Sequence, residues 1–414
     1  MIRLVRFTFI LLPILLQNIP AQNTDLLTKF SMGKYVSMGG AGLGIVDDIS
    51  AVDFNPAGLS QIKNLTFSLS QNFKYYSYYS FIANQGAGSI TNEWNKLKYN
   101  LENILIAYPL NENITLSAGF IQKINPYLTN VRRYITWSTM FSQETSGSVY
   151  AIALGSGLKI SKNISLGLTI YNYLGTVDSK VVGDNHGRDS DKWALMENDF
   201  SGFGFRFGGQ ARLDNFSTGI IFEYPTSLNV KTNKSISDDQ TYQYLLPDYD
   251  ETKFNLPLTI GIGFAYLFEP NTSISLDFET RRYKNSDIKI NLYEYGGNPE
   301  WDNLYMIRSG IEFYPIKDLE LPLRIGYAYI PQLYFSNNST AYGEVISSYE
   351  NTSRVIKHNF TAGTSLRYFN FDFHFGIEYA ILKWHRNLSS SVIVEEDYTE
   401  KNITFFMQTI LELN

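Results

Sequence analysis

The sequence predicts an all-β chain, a 14-stranded antiparallel transmembrane β-barrel. Three observations point there. Apolar and polar residues alternate with period two from about residue 64 onward. The alternating segments run about 10 to 14 residues, near the ~9–11 a tilted bilayer-crossing strand needs and well beyond the ~5–6 typical of soluble strands. The joints between them alternate short and long.

The alternation is plain in four stretches. Ile274, Leu276 and Phe278 share one face, against Ser275, Asp277, Glu279 and Arg281. Phe203, Phe205 and Phe207 oppose Gly204, Arg206 and Gly208. Leu323, Ile325, Tyr327 and Tyr329 oppose Arg324, Gly326 and Ala328. Phe371, Phe373, Phe375, Ile377 and Tyr379 oppose Asp372, His374, Gly376 and Glu378. One face is greasy and aromatic; the other is small, polar or charged. In a membrane barrel the second face lines the lumen.

Counted along the chain, strands fall near 65–83, 102–110, 113–124, 147–160, 163–174, 201–213, 215–224, 256–268, 271–283, 303–314, 321–330, 356–368, 370–382 and 401–413. Short joints, such as Leu110–Asn113 and Ser161–Asn163, read as periplasmic turns. Long joints near 84–100, 125–146, 175–200, 225–255, 284–302, 331–355 and 383–400 read as outer loops. An even count closes the ladder and puts both termini on the periplasmic side.

Composition agrees. Aromatics make up 15% of the 414 residues and charged residues only 18%, too aromatic and too lightly charged for an ordinary soluble protein. Beyond residue 20 no apolar run is long enough for a transmembrane helix. The net charge of −6 disfavours nucleic acid as a partner. Cysteine is absent, which removes thiol catalysis, disulfides and thiolate metal sites. The first 21 residues read as a signal peptide: Arg3 and Arg6, an apolar core from Phe7 to Leu16, then Ile19-Pro20-Ala21. The expected location is therefore a bacterial outer membrane, as a monomer in contact with its lipid.

Residues 31–60 break the alternation. Glycines at 39, 40, 42 and 44 permit close backbone approach and positive φ. Asp47-Asp48 and the Asn55-Pro56-Ala57 triplet follow, the latter forcing a turn or extended step. This stretch resembles the start of the FadL/TodX family of outer-membrane hydrophobic-compound transporters. The match rests on Gly39, Gly40, Gly42, Asp47, Asp48, Asn55, Pro56 and Ala57. Arg324-Ile-Gly-Tyr-Ala-Tyr329 and His358-Asn-Phe-Thr-Ala-Gly363 resemble later family patterns more loosely.

The resemblance implies a hatch over residues 22–63 inside a barrel of residues 64–414. It implies passive uptake of hydrophobic small molecules such as long-chain fatty acids, with exit sideways at a kinked strand. Gly119 and Pro126 are the candidates for that kink, with a plain strand end at Pro126 as the blander reading. A ligand carboxylate would need a lumen cation. Arg206, Arg212, Arg308, Arg324 and Arg367 fall on the lumen face, each facing the alternative of pairing with Asp277, Glu279, Glu312, Asp372 or Glu378. Tyr242, Tyr244, Leu245 and Leu246 form a candidate greasy landing site in a long loop.

Asp184–Asp191 lacks a full calcium-loop pattern and reads as solvated loop. With four histidines and no nucleophile–base spacing, neither an enzyme nor a cofactor is expected. The other reading of the same plan is a protein-binding component of an outer-membrane secretion system.

Overall fold

The computed structural model describes residues 33–413, apart from 85–87, 126–127, 137–138, 185–191, 238–249, 269–271, 286–302, 316–320, 336–339, 342–343, 346–353 and 390–392. The predicted signal peptide lies outside the described residues.

The wall is β1 (Leu65–Asn84), β2 (Gly88–Pro109), β3 (Ile114–Ile124, resuming as Leu128–Thr136), β4 (Thr139–Lys159) and β5 (Ile164–Asp184). It continues with β6 (Lys192–Leu213), β7 (Phe216–Glu223, resuming as Thr226–Ile236) and β8 (Glu251–Leu256, resuming as Thr259–Phe268). Then come β9 (Thr272–Arg281), β10 (Leu304–Phe313), β11 (Leu323–Phe335), β12 (Arg354–Tyr368), β13 (Phe371–Ser389) and β14 (Ile393–Leu413). Each strand pairs antiparallel with the next, and β1 pairs with β14 from Leu65–Leu413 to Asn84–Val394. The 17 hydrogen-bonded segments are therefore 14 strands, three of them interrupted, closed into a barrel. Closure leaves no exposed edge around the ring as a whole and satisfies the backbone internally.

Two interruptions have a chemical cause. β7 breaks at Tyr224-Pro225 and β8 at Pro257-Leu258, and proline has no N–H to give a ladder. Turns at the other end are tight, with Asp214 and Phe369 held at positive φ.

The face assignment follows the alternation. Phe203, Phe205, Phe207, Leu276, Phe278 and Ile325 lie exposed on the outside. Arg206, Asp277, Glu279, Arg308 and Arg324 are buried within. So continuous an apolar exterior is stable only in a membrane, and the barrel is an outer-membrane protein.

The strand lengths differ from the reading above. Much of 84–100, 125–146, 175–200 and 383–400, predicted as loop, is strand. β1 with β2, and β13 with β14, stay paired nearly to their tips. The cause is solvent: beyond the bilayer the outer face meets water instead of lipid, so no hydrophobic alternation marks the strand. Val394-Glu-Glu-Asp-Tyr-Thr-Glu400 is such a stretch.

The segment 33–62 lies inside the ring. A short helix, α1 (Gly33–Ser37), is followed by two 3-10 turns, Ile49–Val52 and Pro56–Gln61. Both turns are capped locally. Asp48 accepts the Ser50 N–H at 2.8 Å, and Asn55 accepts the Ala57 N–H at 3.2 Å with proline in the first turn. Gly39 and Gly40 adopt φ of +69° and +81°, open to glycine at little cost. Apolar Tyr35, Met38, Leu43, Val46, Ile49 and Leu59 are buried.

Candidate functional site

The inner segment rests directly on the wall. A Cβ at Gly167 would strike Pro56, and one at Gly208 would strike Asn55. Gly219 and Gly263 lie under Leu43, Gly310 under Met38, and Gly326 under Met38 and Gly39. These wall glycines take the place of side chains, so backbone meets backbone. All lie in the half of the barrel nearest the short turns.

Polar groups fix the seat. Asp277 on β9 accepts the N–H groups of Gly42 at 2.7 Å and Leu43 at 3.0 Å. Thr361 on β12 accepts the Gly39 N–H and donates to the Ser37 carbonyl, both at 2.9 Å. Asn55 donates to the carbonyls of Leu43 and Gly209 at 2.8 and 3.0 Å. Gln210 donates to the Gly44 and Val46 carbonyls. Of the acidic pair, Asp47 binds Lys34 at 2.6 Å and Tyr35 at 3.0 Å, whereas Asp48 is the cap already described. All eight residues of the sequence motif thus fall in this seated segment.

The five lumen arginines all have protein partners. Arg206 pairs with Glu223, its Nε 2.9 Å from Oε2. Arg308 reaches Glu279 at 3.1 Å, and Arg281 reaches the same carboxylate at 2.9 Å. Arg324 bonds Glu312 and Ser365. Arg212 donates to the carbonyls of Ile45 and Val46 in the inner segment. Arg367 sits at the barrel end, 55% exposed, between Asp372 and Glu412. Glu279, Glu312 and Asp372 therefore pair as their lumen positions suggested; Asp277 instead grips backbone N–H groups.

Beside Asp53 the inner segment meets a charged cluster. Lys123 lies 2.6 Å from the Asp53 carboxylate, and Tyr171 donates to it at 2.8 Å. Burial pushes the Asp53 carboxyl upward, but Lys123 and Arg206 outweigh it and hold it at about 2. A polar cavity of about 60 Å³ lies here, between Asp53, Lys123, Arg206, Glu223 and Arg281. A second cleft of about 350 Å³ opens near the short turns, between Ile45, Asp47, Arg212, Phe216, Glu312 and Tyr314. Above the inner segment, Ile124, Val149, Phe200, Leu228, Val230 and Phe254 fill the lumen with apolar side chains.

Besides the proline breaks in β7 and β8, the wall is discontinuous between β2 and β3. The β2–β3 ladder runs from Pro109–Thr115 to Asn103–Ile121, and among the described residues it goes no further. At that height β1 and β2 slip past a bulge that skips Glu102, and β3 and β4 shift register between Gln122 and Ile124. Gly119 is not the kink: it pairs regularly with Leu105 and Ala153. The strand is described to Ile124, with the register shift inside the Gly119–Pro126 stretch, and pairing with β4 is found again from Leu128. Pro126 itself, and Tyr242, Tyr244, Leu245 and Leu246, lie outside the described residues.

Side chains bridge the gap left by the ladder. Lys98 donates to Asn125 at 2.8 Å, Asn125 to Asn100 at 3.0 Å, and Asn100 to Asn72 at 2.8 Å. Asn72 in turn donates to Glu102. Sequence reasoning missed this chain; its bonded pairs are 25 to 30 positions apart, with nothing local to link them.

No curated protein matches the sequence. Among solved structures, a FadL homologue of Pseudomonas aeruginosa superposes with a TM-score of 0.64 at 12% identity, covering 94% of this chain and 100% of that one. The toluene transporter TodX of P. putida gives 0.60 at 10% identity, over 94% and 99%. The monoaromatic hydrocarbon channel CymD gives 0.58 at 12%, over 94% and 99%. At such identities the likeness is one of fold, and the FadL/TodX resemblance read from residues 31–60 holds at that level. The sequence itself matches a different family model, BamG, across residues 28–320, which takes in the seated segment and the wall through β10. This chain belongs to the BamG family.

Proposed function

We propose that this barrel mediates passive uptake of hydrophobic small molecules across the outer membrane, with long-chain fatty acids as reference substrate. In this reading residues 22–63 are a hatch that blocks straight passage, and the solute leaves sideways into the bilayer between β2 and β3. The observation that carries it is the end of the β2–β3 ladder at Asn103–Ile121, level with the bulge at Glu102. A wall held there by side chains opens without breaking a backbone ladder. A greasy solute then avoids the aqueous periplasm by partitioning directly into lipid. The structural relatives include a toluene transporter and a monoaromatic hydrocarbon channel, in keeping with this class.

The test is uptake of radiolabelled oleate by cells lacking the chromosomal copy and complemented with wild type or a seam-locked variant. The variant carries cysteines at 100 and 125 joined by a short bis-maleimide, in a chain with no other cysteine. Wild type is expected to restore uptake and the bridged variant to lose it. Equal uptake by both would rule out the lateral route.

A second reading has its own support. All five arginines are engaged, and the lumen above the seat is packed. Such a barrel suits a protein-binding component of an outer-membrane secretion system. Gentle purification separates the two: bound lipid favours uptake, and a stoichiometric co-purifying protein favours the partner role.

A further inference from the structure

We propose that the hydrogen-bonded chain Lys98–Asn125–Asn100–Asn72–Glu102 is the selectivity element of the lateral seam, so that the seam passes amphiphiles with a hydrogen-bonding head and excludes plain hydrocarbons; this rests on the uptake reading. The argument begins with burial. Asn72, Asn100, Glu102 and Asn125 are all at most 7% exposed. Outside them, at the same height, Leu97 and Tyr99 are exposed on the outer face. The chain therefore stands where water is scarce, and each bond in it is costly to leave unmade.

Each asparagine gives one N–H and accepts one, so the links form a single file across three strands. Parting β2 from β3 severs Lys98 from Asn125 and Asn125 from Asn100 together. The Asn125 amide, as donor and as acceptor, and the Asn100 carbonyl each lose their bond across the opening, and the Lys98 ammonium loses one of its contacts. A hydrocarbon returns nothing to them. A hydroxyl both donates and accepts, and can span the opening in place of the Asn125 amide while its tail follows Leu97 and Tyr99 outward. A site that hydrogen-bonds its substrate rejects the analogue without the polar group far more strongly than an apolar pocket rejects an added one.

The experiment compares initial uptake of radiolabelled decanol and decane, at equal aqueous activity, in complemented cells lacking the chromosomal copy. For wild type, decanol is expected to enter at least about tenfold faster than decane, each corrected for cells without the protein. The triple variant Asn72→Leu, Asn100→Leu, Asn125→Leu is expected to bring the ratio to within about twofold of unity, by admitting decane. Asn125→Ala alone, which leaves the β1–β2 bulge untouched, is expected to lower the ratio several-fold. Heat-modifiable gel mobility verifies that each variant is a folded barrel. Equal wild-type rates for the two probes would overturn the selectivity and leave uptake standing. An unchanged ratio in folded variants would overturn the assignment to this chain. Neither probe entering above background would overturn the uptake reading itself.

Discussion

Two parts of one wall treat the backbone in opposite ways. From β5 to β12 the inward glycines of the wall accept the inner segment directly, with Asp277, Thr361 and Asn55 tying it down. Between β2 and β3 the ladder stops among the described residues, and two side-chain hydrogen bonds, extended to β1 by two more, stand in for it. Backbone-on-backbone packing has almost no alternative rotamers, whereas asparagine amides rotate and exchange partners. Motion is therefore expected at the seam, with the seated segment as the fixed reference against which the seam opens.

The comparison breaks most sharply at Asp277. Asp277→Ala orphans the Gly42 and Leu43 N–H groups inside the barrel, at roughly 1–3 kcal/mol for each buried donor left unpaired. Asp277→Asn keeps one acceptor oxygen and is expected to cost about half as much. Limited proteolysis within residues 33–62, together with thermal unfolding, measures both. If Asp277→Ala left the segment as protected as in wild type, the clamp would not be what holds it.

How far was this contrast legible in the sequence? The membrane-level wall was, because lipid on one side and lumen on the other impose period two, as in Ile274 to Arg281. The outer halves were not, because water in place of lipid on the outer face of stretches such as 394–400 erases the period. Asn55-Pro56 announces a turn, and the structure places a 3-10 turn there, capped by Asn55. Asp277 looked like an ion-pair partner for an arginine; its true partners lie 235 and 234 residues away, and no spacing rule connects them. The seam was invisible for the same reason. Asn72, Asn100 and Asn125 are unremarkable polar residues until three strands align them.

A smaller effect sharpens the fixed side through pH. Asp53 is held at about 2 against an ordinary value of 3.8. A depressed folded pKa means its stabilisation is fully present above about pH 4 and fades as pH falls toward 2. The shift corresponds to on the order of 2 kcal/mol. Wild type is expected to lose that much stability between pH 5 and 2 beyond what Asp53→Asn loses, as read from denaturant midpoints of refolded barrels. Parallel curves for the two proteins would mean that the Lys123 contact leaves the Asp53 titration unmoved.

The smallest effect on stability belongs to the seam, and its smallness is informative. Asn125→Ala removes two of the four links between side chains, leaving Lys98 and Asn100 at a gap that solvent reaches when the strands part. In the closed seam a single water fits the space the amide leaves, a water that a passing hydrocarbon would displace, so the expected loss of stability is only about 1 kcal/mol. Local opening should respond much more. Amide hydrogen exchange at Asn103 to Leu105, the last paired stretch of β2, is expected to speed up about fivefold, while Gly42 and Leu43 under the clamp exchange as in wild type. Faster exchange at both places would mean that seam and seat open together, and the division of the barrel into a fixed and a yielding side would fall. Faster exchange at the seam alone would mean that the wall parts where its ladder is missing while the inner segment stays in place.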